Sequence, residues 1–281
     1  MAEFPPVPLT IEGSSVLHQM FRFDWKAWRS ISLPERQRIV EESIRTLEDL
    51  ERAGSSNGPV RSALFSMLGH KGDLLLVHFR DSVKALNQAE LKLARSEFHN
   101  FLTPTHSYLS VVELGLYESS MKTYGALVAQ GLKEHTPEWD AAIDEVLKRQ
   151  SDALTTRLFP EIPSASHLCF YPMDRRRGEQ VNWYTVPIAE RQRMMHDHML
   201  IGRSYGDRVR QIISGSIGLD DWEWGVDLFA DDPVVFKKLI YEMRFDQSSA
   251  LYAAFGPFYV GIRLPIEKLG NWLMGSIEDA D

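Results

Sequence analysis

The sequence predicts an α+β protein in which one strand–helix–strand–strand–helix–strand unit occurs twice. Three observations lead there. A short segment, Leu33-Pro34-Glu35-Arg36-Gln37-Arg38, returns as Ile188-Ala189-Glu190-Arg191-Gln192-Arg193, each time opening a helical pattern. Each copy follows an extended aromatic stretch, Phe21-Arg22-Phe23-Asp24-Trp25 in one case and Phe170-Tyr171-Pro172-Met173-Asp174 in the other. Downstream, Leu76-Val77-His78-Phe79-Arg80-Asp81 parallels Val226-Asp227-Leu228-Phe229-Ala230-Asp231, and both run into a second helix.

In the first half, strands are expected near 15–24, 60–69, 73–80 and 104–117, with helices near 33–53 and 82–99. The last of these strands contains Ser107-Tyr108-Leu109-Ser110-Val111-Val112-Glu113-Leu114, a β-rich stretch with the alternation of a half-buried strand. In the second half, strands are expected near 165–173, 207–217, 221–229 and 257–264, with helices near 187–203 and 233–244. Asp231-Asp232-Pro233 gives the last helix an acidic cap and a proline in its first turn. Such an order is the ferredoxin-like arrangement, used twice. The expected division is therefore 1–118, a helical connector at 119–156, and 157–281.

Bulk properties exclude several classes. A chain of 281 residues, 44% apolar, can bury a sizeable core, and its net charge of −8 argues against nucleic acid. Cys169 is the only cysteine, so an intramolecular disulfide and a thiolate-rich zinc site are both out of reach. No apolar run approaches the roughly 18 residues of a membrane span. The N-terminus lacks the pattern of a signal peptide, so a cytoplasmic location is expected. The P-loop, the Gly-x-Ser-x-Gly elbow, the Gly-x-Gly-x-x-Gly loop and the His-Glu-x-x-His pair are all missing.

Chemistry concentrates in the second half. On the helix from Ala189 to Tyr205, the i, i+3, i+4 rule gathers Met194, Met195, His198, Ile201 and Gly202 on one face. Such a histidine reads either as a satisfied core residue or as the proximal ligand of a flat apolar group such as a haem. On the strand from Ser166, alternation puts Cys169, Tyr171 and Met173 on one face, with Arg175 following. This is either a wall with an amphipathic rim or a redox-capable phenol beside a carboxylate anchor. Gln211 shares its strand face with Ile213 and Gly215, and a buried glutamine there needs a partner, structural or ligand. Arg244 at a helix end reads locally as a group satisfying the last carbonyls, and Arg157 stands out in nothing local.

Taken together, these segments resemble the coproheme decarboxylases of the chlorite-dismutase-like superfamily, of the type found in monoderm bacteria. The resemblance runs through Tyr171-Pro172-Met173, Asn182-Trp183-Tyr184, Met194-Met195-His196-Asp197-His198 and Gly202-Arg203. It continues through Gln211-Ile212-Ile213-Ser214-Gly215-Ser216, Asp221-Trp222-Glu223-Trp224-Gly225 and Tyr241-Glu242-Met243-Arg244-Phe245-Asp246. It implies a β-barrel built of the two ferredoxin-like halves with helices outside, assembled as a homopentamer. His198 is then the iron ligand, Tyr171 the radical-forming tyrosine and Gln211 the distal residue. Arg157, Arg244 and Ser249 hold propionates, Met173 lines the pocket, and Arg175 stands where members of this type commonly carry a lysine.

The implied reaction is the peroxide-dependent decarboxylation of two propionates of iron-coproporphyrin III to vinyls, giving haem b. Hydrogen peroxide is the co-substrate, and coproporphyrin ferrochelatase is the implied transient partner. A neutral amide at Gln211, where chlorite dismutases carry an arginine, disfavours chlorite as substrate. The alternatives are a haem-binding carrier or sensor without catalysis, and a haem peroxidase.

Overall fold

A computed structural model describes residues 5–53 and 59–275. The first half contains β1 (Thr10–Phe23), α1 (Trp25–Ser30), α2 (Leu33–Glu51), β2 (Ser62–Met67), β3 (Leu74–Arg80), α3 (Val83–Ala94) and β4 (Leu102–Gly115). Three helices follow: α4 (Tyr117–Ala129), α5 (Pro137–Ala153) and α6 (Thr155–Leu158). The second half contains β5 (His167–Arg175), α7 (Ile188–Ser204), β6 (Arg210–Gly215), β7 (Trp224–Ala230) and α8 (Val234–Met243). It ends with α9 (Gln247–Tyr252), β8 (Ala253–Phe255), β9 (Tyr259–Arg263) and α10 (Leu269–Met274).

Local chemistry explains the helices. Ser32 caps α2 by accepting from the Glu35 amide, Pro34 sits in its first turn, and Ile39, Ser43, Leu47 and Leu50 form its buried stripe. In α8 the stripe is Val235, Phe236, Leu239 and Met243. Asp232 receives the Val234 amide at 2.9 Å, so the acidic start expected there is in place. Asp246 caps α9 by accepting from the Ser249 amide.

All strand pairings are antiparallel. The order is β7-β6-β4-β1-β3-β2-β9-β5-β8, and a further β7–β5 pairing closes the sheet into a ring with β8 appended to β5. Within the ring the first half contributes β4-β1-β3-β2 and the second β6-β7-β5-β9, so each half has the order of a split βαβ unit. The halves join where β4 meets β6 and β2 meets β9.

Alternation along the strands separates two surfaces of the ring. Val16, Met20, Phe65, Val77, Tyr108, Phe170, Ile212 and Phe229 belong to one cluster, the ring interior. His18 and Asp227 are buried among these strands and bond at 2.8 Å, with His18 stacked on Phe170 at 3.9 Å. On the outer face, α2, α3 and α10 cover the first half. There, Cys169, Tyr171, Val226 and Leu228 of the second half pack against Val235, Phe236, Leu239 and Met243 of α8.

Several expected boundaries shift. The strand expected at 104–117 begins at Leu102 and ends at Gly115, because α4 starts at Tyr117. The helix expected at 82–99 stops at Ala94, and Glu97–Phe101 forms a separate tight turn. The strand expected at 207–217 keeps only Arg210–Gly215, since residues either side make turns. The short elements α1, α9 and β8 carry no periodic signal and were not expected from the sequence.

Candidate functional site

The outer face of the second half is incompletely covered. Helix α7 buries Ile188, Arg191 and Met194 in its first half and no residue after Met194. Yet Met195, His198, Ile201 and Gly202, on its inward face, are half-buried. Opposite them, Ile213 of β6 is 42% exposed and shares a strand face with Gln211. An apolar strand residue left open beneath a half-covered helix is room for a flat ligand.

His198 is the only expected iron ligand, and its geometry suits that role. The Asp246 carboxylate can only accept, so His198 Nδ1–H donates to Asp246 Oδ2 at 2.9 Å. The Ser249 hydroxyl lies 3.5 Å from the same nitrogen, and the Ser249 amide donates to Asp246 Oδ1 at 3.0 Å. With Nδ1 carrying the proton, Nε2 keeps a lone pair for a metal. A carboxylate behind an imidazole fixes its tautomer and raises its basicity as a ligand. Burial of Asp246 opposes ionisation, but the hydrogen bonds from His198 and the Ser249 amide outweigh it. They hold the carboxyl well below its ordinary range.

Tyr171 lies on β5 with its ring against Phe258 at 4.7 Å and Phe255 at 5.7 Å. Its hydroxyl makes no hydrogen bond to any described residue, and burial pushes its pKa well up, with Arg244 and Arg175 pulling against that. The phenol is therefore kept neutral, with its O–H intact. Met173 packs two residues along the same face. Arg244 ends α8, lies 4.6 Å over the Phe255 ring and has no ion-pair partner among the described residues. It also borders an apolar cleft of about 370 Å³ with Cys169, Phe236, Phe258 and Val260.

The remaining expected residues are placed differently. Gln211 donates through Nε2 to the Gly202 carbonyl at 3.3 Å, so it meets α7 one turn beyond His198. Arg157 lies exposed on α6, with no hydrogen bond, ion pair or ring contact to His198, Tyr171 or Arg244 among the described residues. Arg175 is buried and spends its guanidinium on protein partners: Nη1 donates to the Ser248 carbonyl at 2.9 Å and Nη2 to Met195 Sδ at 3.3 Å. Its plane lies 4.5 Å over Trp183.

The sequence reading missed Asp246 as the partner of His198. A signal was present, because an Asp three residues before Ser249 marks a helix cap, but nothing local pointed that cap at a histidine 48 residues upstream. A haem fits this donor set: one imidazole with a carboxylate behind it, an apolar floor, and, in Arg244, an arginine with no ion-pair partner among the described residues.

Known proteins agree with the fold. The chlorite dismutase family model matches residues 36–264. A solved structure of a novel haem-binding protein from Thermus thermophilus is 39% identical, with a TM-score of 0.79 over 97% of this chain and 100% of that one. A putative chlorite dismutase is 14% identical, with a TM-score of 0.64 over 94% of this chain and 100% of that one. A mutant chlorite dismutase from Candidatus Nitrospira defluvii is 16% identical, with a TM-score of 0.67 over 94% of this chain and 96% of that one. These last two speak to the fold alone. No helix among the described residues is long and apolar enough to cross a membrane. With the family model spanning most of the molecule and a close structural relative over nearly its whole length, this chain belongs to the chlorite dismutase family.

Proposed function

We propose that the protein decarboxylates two propionates of iron-coproporphyrin III with hydrogen peroxide, giving haem b. The observation that carries this reading is Tyr171: a buried phenol with no hydrogen-bond partner among the described residues, within electrostatic reach of cationic Arg244 and Arg175, on the sheet face that α7 and α8 cover. A carrier needs no such group. The haem-binding unit is residues 157–281, with the ring acting as a β-barrel and the subunits assembling as a homopentamer.

His198 would hold the iron through Nε2 while Asp246 keeps its ring oriented. The bound iron supplies the oxidising power, with peroxide as the oxidant. Arg244 meets a propionate carboxylate with a charge-assisted hydrogen bond, Ser249 and Arg157 holding others. Tyr171 carries the hydrogen atom: it gives up its hydroxyl hydrogen and regains one from the propionate β-carbon. Met173 lines the space beside it, and Gln211 closes the opposite side. Each turn then takes one further electron from the substrate as the carboxyl leaves as carbon dioxide and a vinyl remains, and the two electrons with their two protons reduce one peroxide to two waters. The balance closes without a general base, and its second round gives haem b. A cytoplasmic site and delivery of coproheme by coproporphyrin ferrochelatase belong to the same reading.

One observation favours a second reading. The Thermus relative is described as a haem-binding protein, which suits a carrier or sensor. Competition separates them. A decarboxylase binds iron-coproporphyrin III more tightly than haem b and consumes it with peroxide, evolving no dioxygen from chlorite. Equal affinity for both porphyrins without consumption supports the carrier, and rapid dioxygen release from chlorite overturns the decarboxylase.

A further inference from the structure

We propose that Arg175 is a positioning residue for the iron ligand rather than an anchor for a substrate carboxylate; this rests on the reading that His198 ligates a porphyrin iron. Every strong contact of its side chain is internal. Nη1 donates to the carbonyl of Ser248, in the helix that Asp246 caps, and Nη2 donates to Met195, three residues before His198 on α7. The residue is 8% exposed. Its guanidinium face is occupied by Trp183 at 4.5 Å, and its backbone amide donates to Glu223 Oε2 at 2.8 Å.

These contacts tie β5 to both segments that carry the His198–Asp246 pair. Asp246 and Ser248 move with α9, while Met195 and His198 move with α7. One planar fork reaching both sets the distance between the two helices, and so the 2.9 Å bond from His198 Nδ1 to the carboxylate. A planar fork can serve this purpose where a lysine cannot, because it stacks on Trp183 and donates from two nitrogens at once. No ion-pair partner lies within reach of the guanidinium among the described residues, so its part is played through these hydrogen bonds and the stacking on Trp183. Acting on the ligand's partner, it sets how basic the imidazole is toward iron.

The test loads wild type, Arg175→Gln and Arg175→Lys with two probes, iron-coproporphyrin III and its tetramethyl ester, which lacks carboxylates. Affinity for each is measured, together with the iron–imidazole stretching frequency of the ferrous complexes by resonance Raman. A positioning role predicts a lower frequency in both variants, because the imidazole loses its carboxylate bond. It also predicts that the two affinities fall alike, by about tenfold or more. Lysine keeps the charge, so it guards against a glutamine variant that does not fold. An unchanged frequency, or a loss confined to the free acid in Arg175→Gln and repaired by Arg175→Lys, overturns the proposal and restores the carboxylate anchor. Failure of wild type to bind either probe overturns the haem reading itself, and is seen before any variant is made.

Discussion

His198 of α7 and Asp246, the cap of α9, form one unit: Nδ1–H donates to Oδ2 at 2.9 Å, although the residues lie 48 positions apart. The pair joins α7 to α9, and it leaves Nε2 as the ring nitrogen available to a metal. Two measurable consequences follow from it.

Asp246→Asn should weaken haem binding by about tenfold to a hundredfold, as removing the partner of a ligating histidine does. Titration of the porphyrin into wild type and variant checks this.

The same variant has a pH signature. The Asp246 carboxyl is depressed below its ordinary value of 3.8, so its stabilisation is complete above that value and is lost as pH falls through the lower folded value. The stability gap between wild type and Asp246→Asn should be largest near neutrality and shrink below pH 3.8. Denaturant melts across that range measure it, and a gap that grows on acidification contradicts the assignment.

Tyr171→Phe should bind coproheme normally and fail to produce vinyl groups. Its hydroxyl has no partner to lose among the described residues, so stability should change by less than about 1 kcal/mol. Product analysis by mass spectrometry and a thermal melt test both halves of this statement.

Inside the ring, His18→Leu should cost about 3–5 kcal/mol, because it strands the buried Asp227 carboxylate without its only side-chain partner among the described residues. Porphyrin affinity should hold, since His18 and Tyr171 lie on opposite faces of the sheet. Gly225→Ala should also destabilise, by about 1–3 kcal/mol, as a Cβ there meets Tyr108 Cε1 at 2.7 Å and Ser214 Oγ at 2.9 Å. Urea melts read both.

Much of this was legible in the sequence because it is written in short-range periodicity. The duplicated Leu33 and Ile188 helix openings, and the alternation around Ser107–Leu114, locate the long strands and helices. The half-buried inner face of α7 follows from spacing alone, and so do the shared faces of Cys169, Tyr171 and Met173. Elements of three to six residues, such as β8 and α9, complete no period and leave no pattern. The ring closure depends on β5 pairing with both β7 and β9, a long-range choice that no window reveals. Arg175 shows the same limit at the level of a side chain. Its charge suggested a carboxylate ligand, whereas its burial against Trp183, Met195 and Ser248 draws on three separate segments that no local pattern brings together.

The most direct test of the central claim is to load the protein with iron-coproporphyrin III, add peroxide in steps, and follow the porphyrin by mass spectrometry. The account predicts two successive losses of a carboxyl unit, one per peroxide consumed, ending at haem b. A porphyrin that stays bound and keeps all its carboxyls through excess peroxide would contradict it.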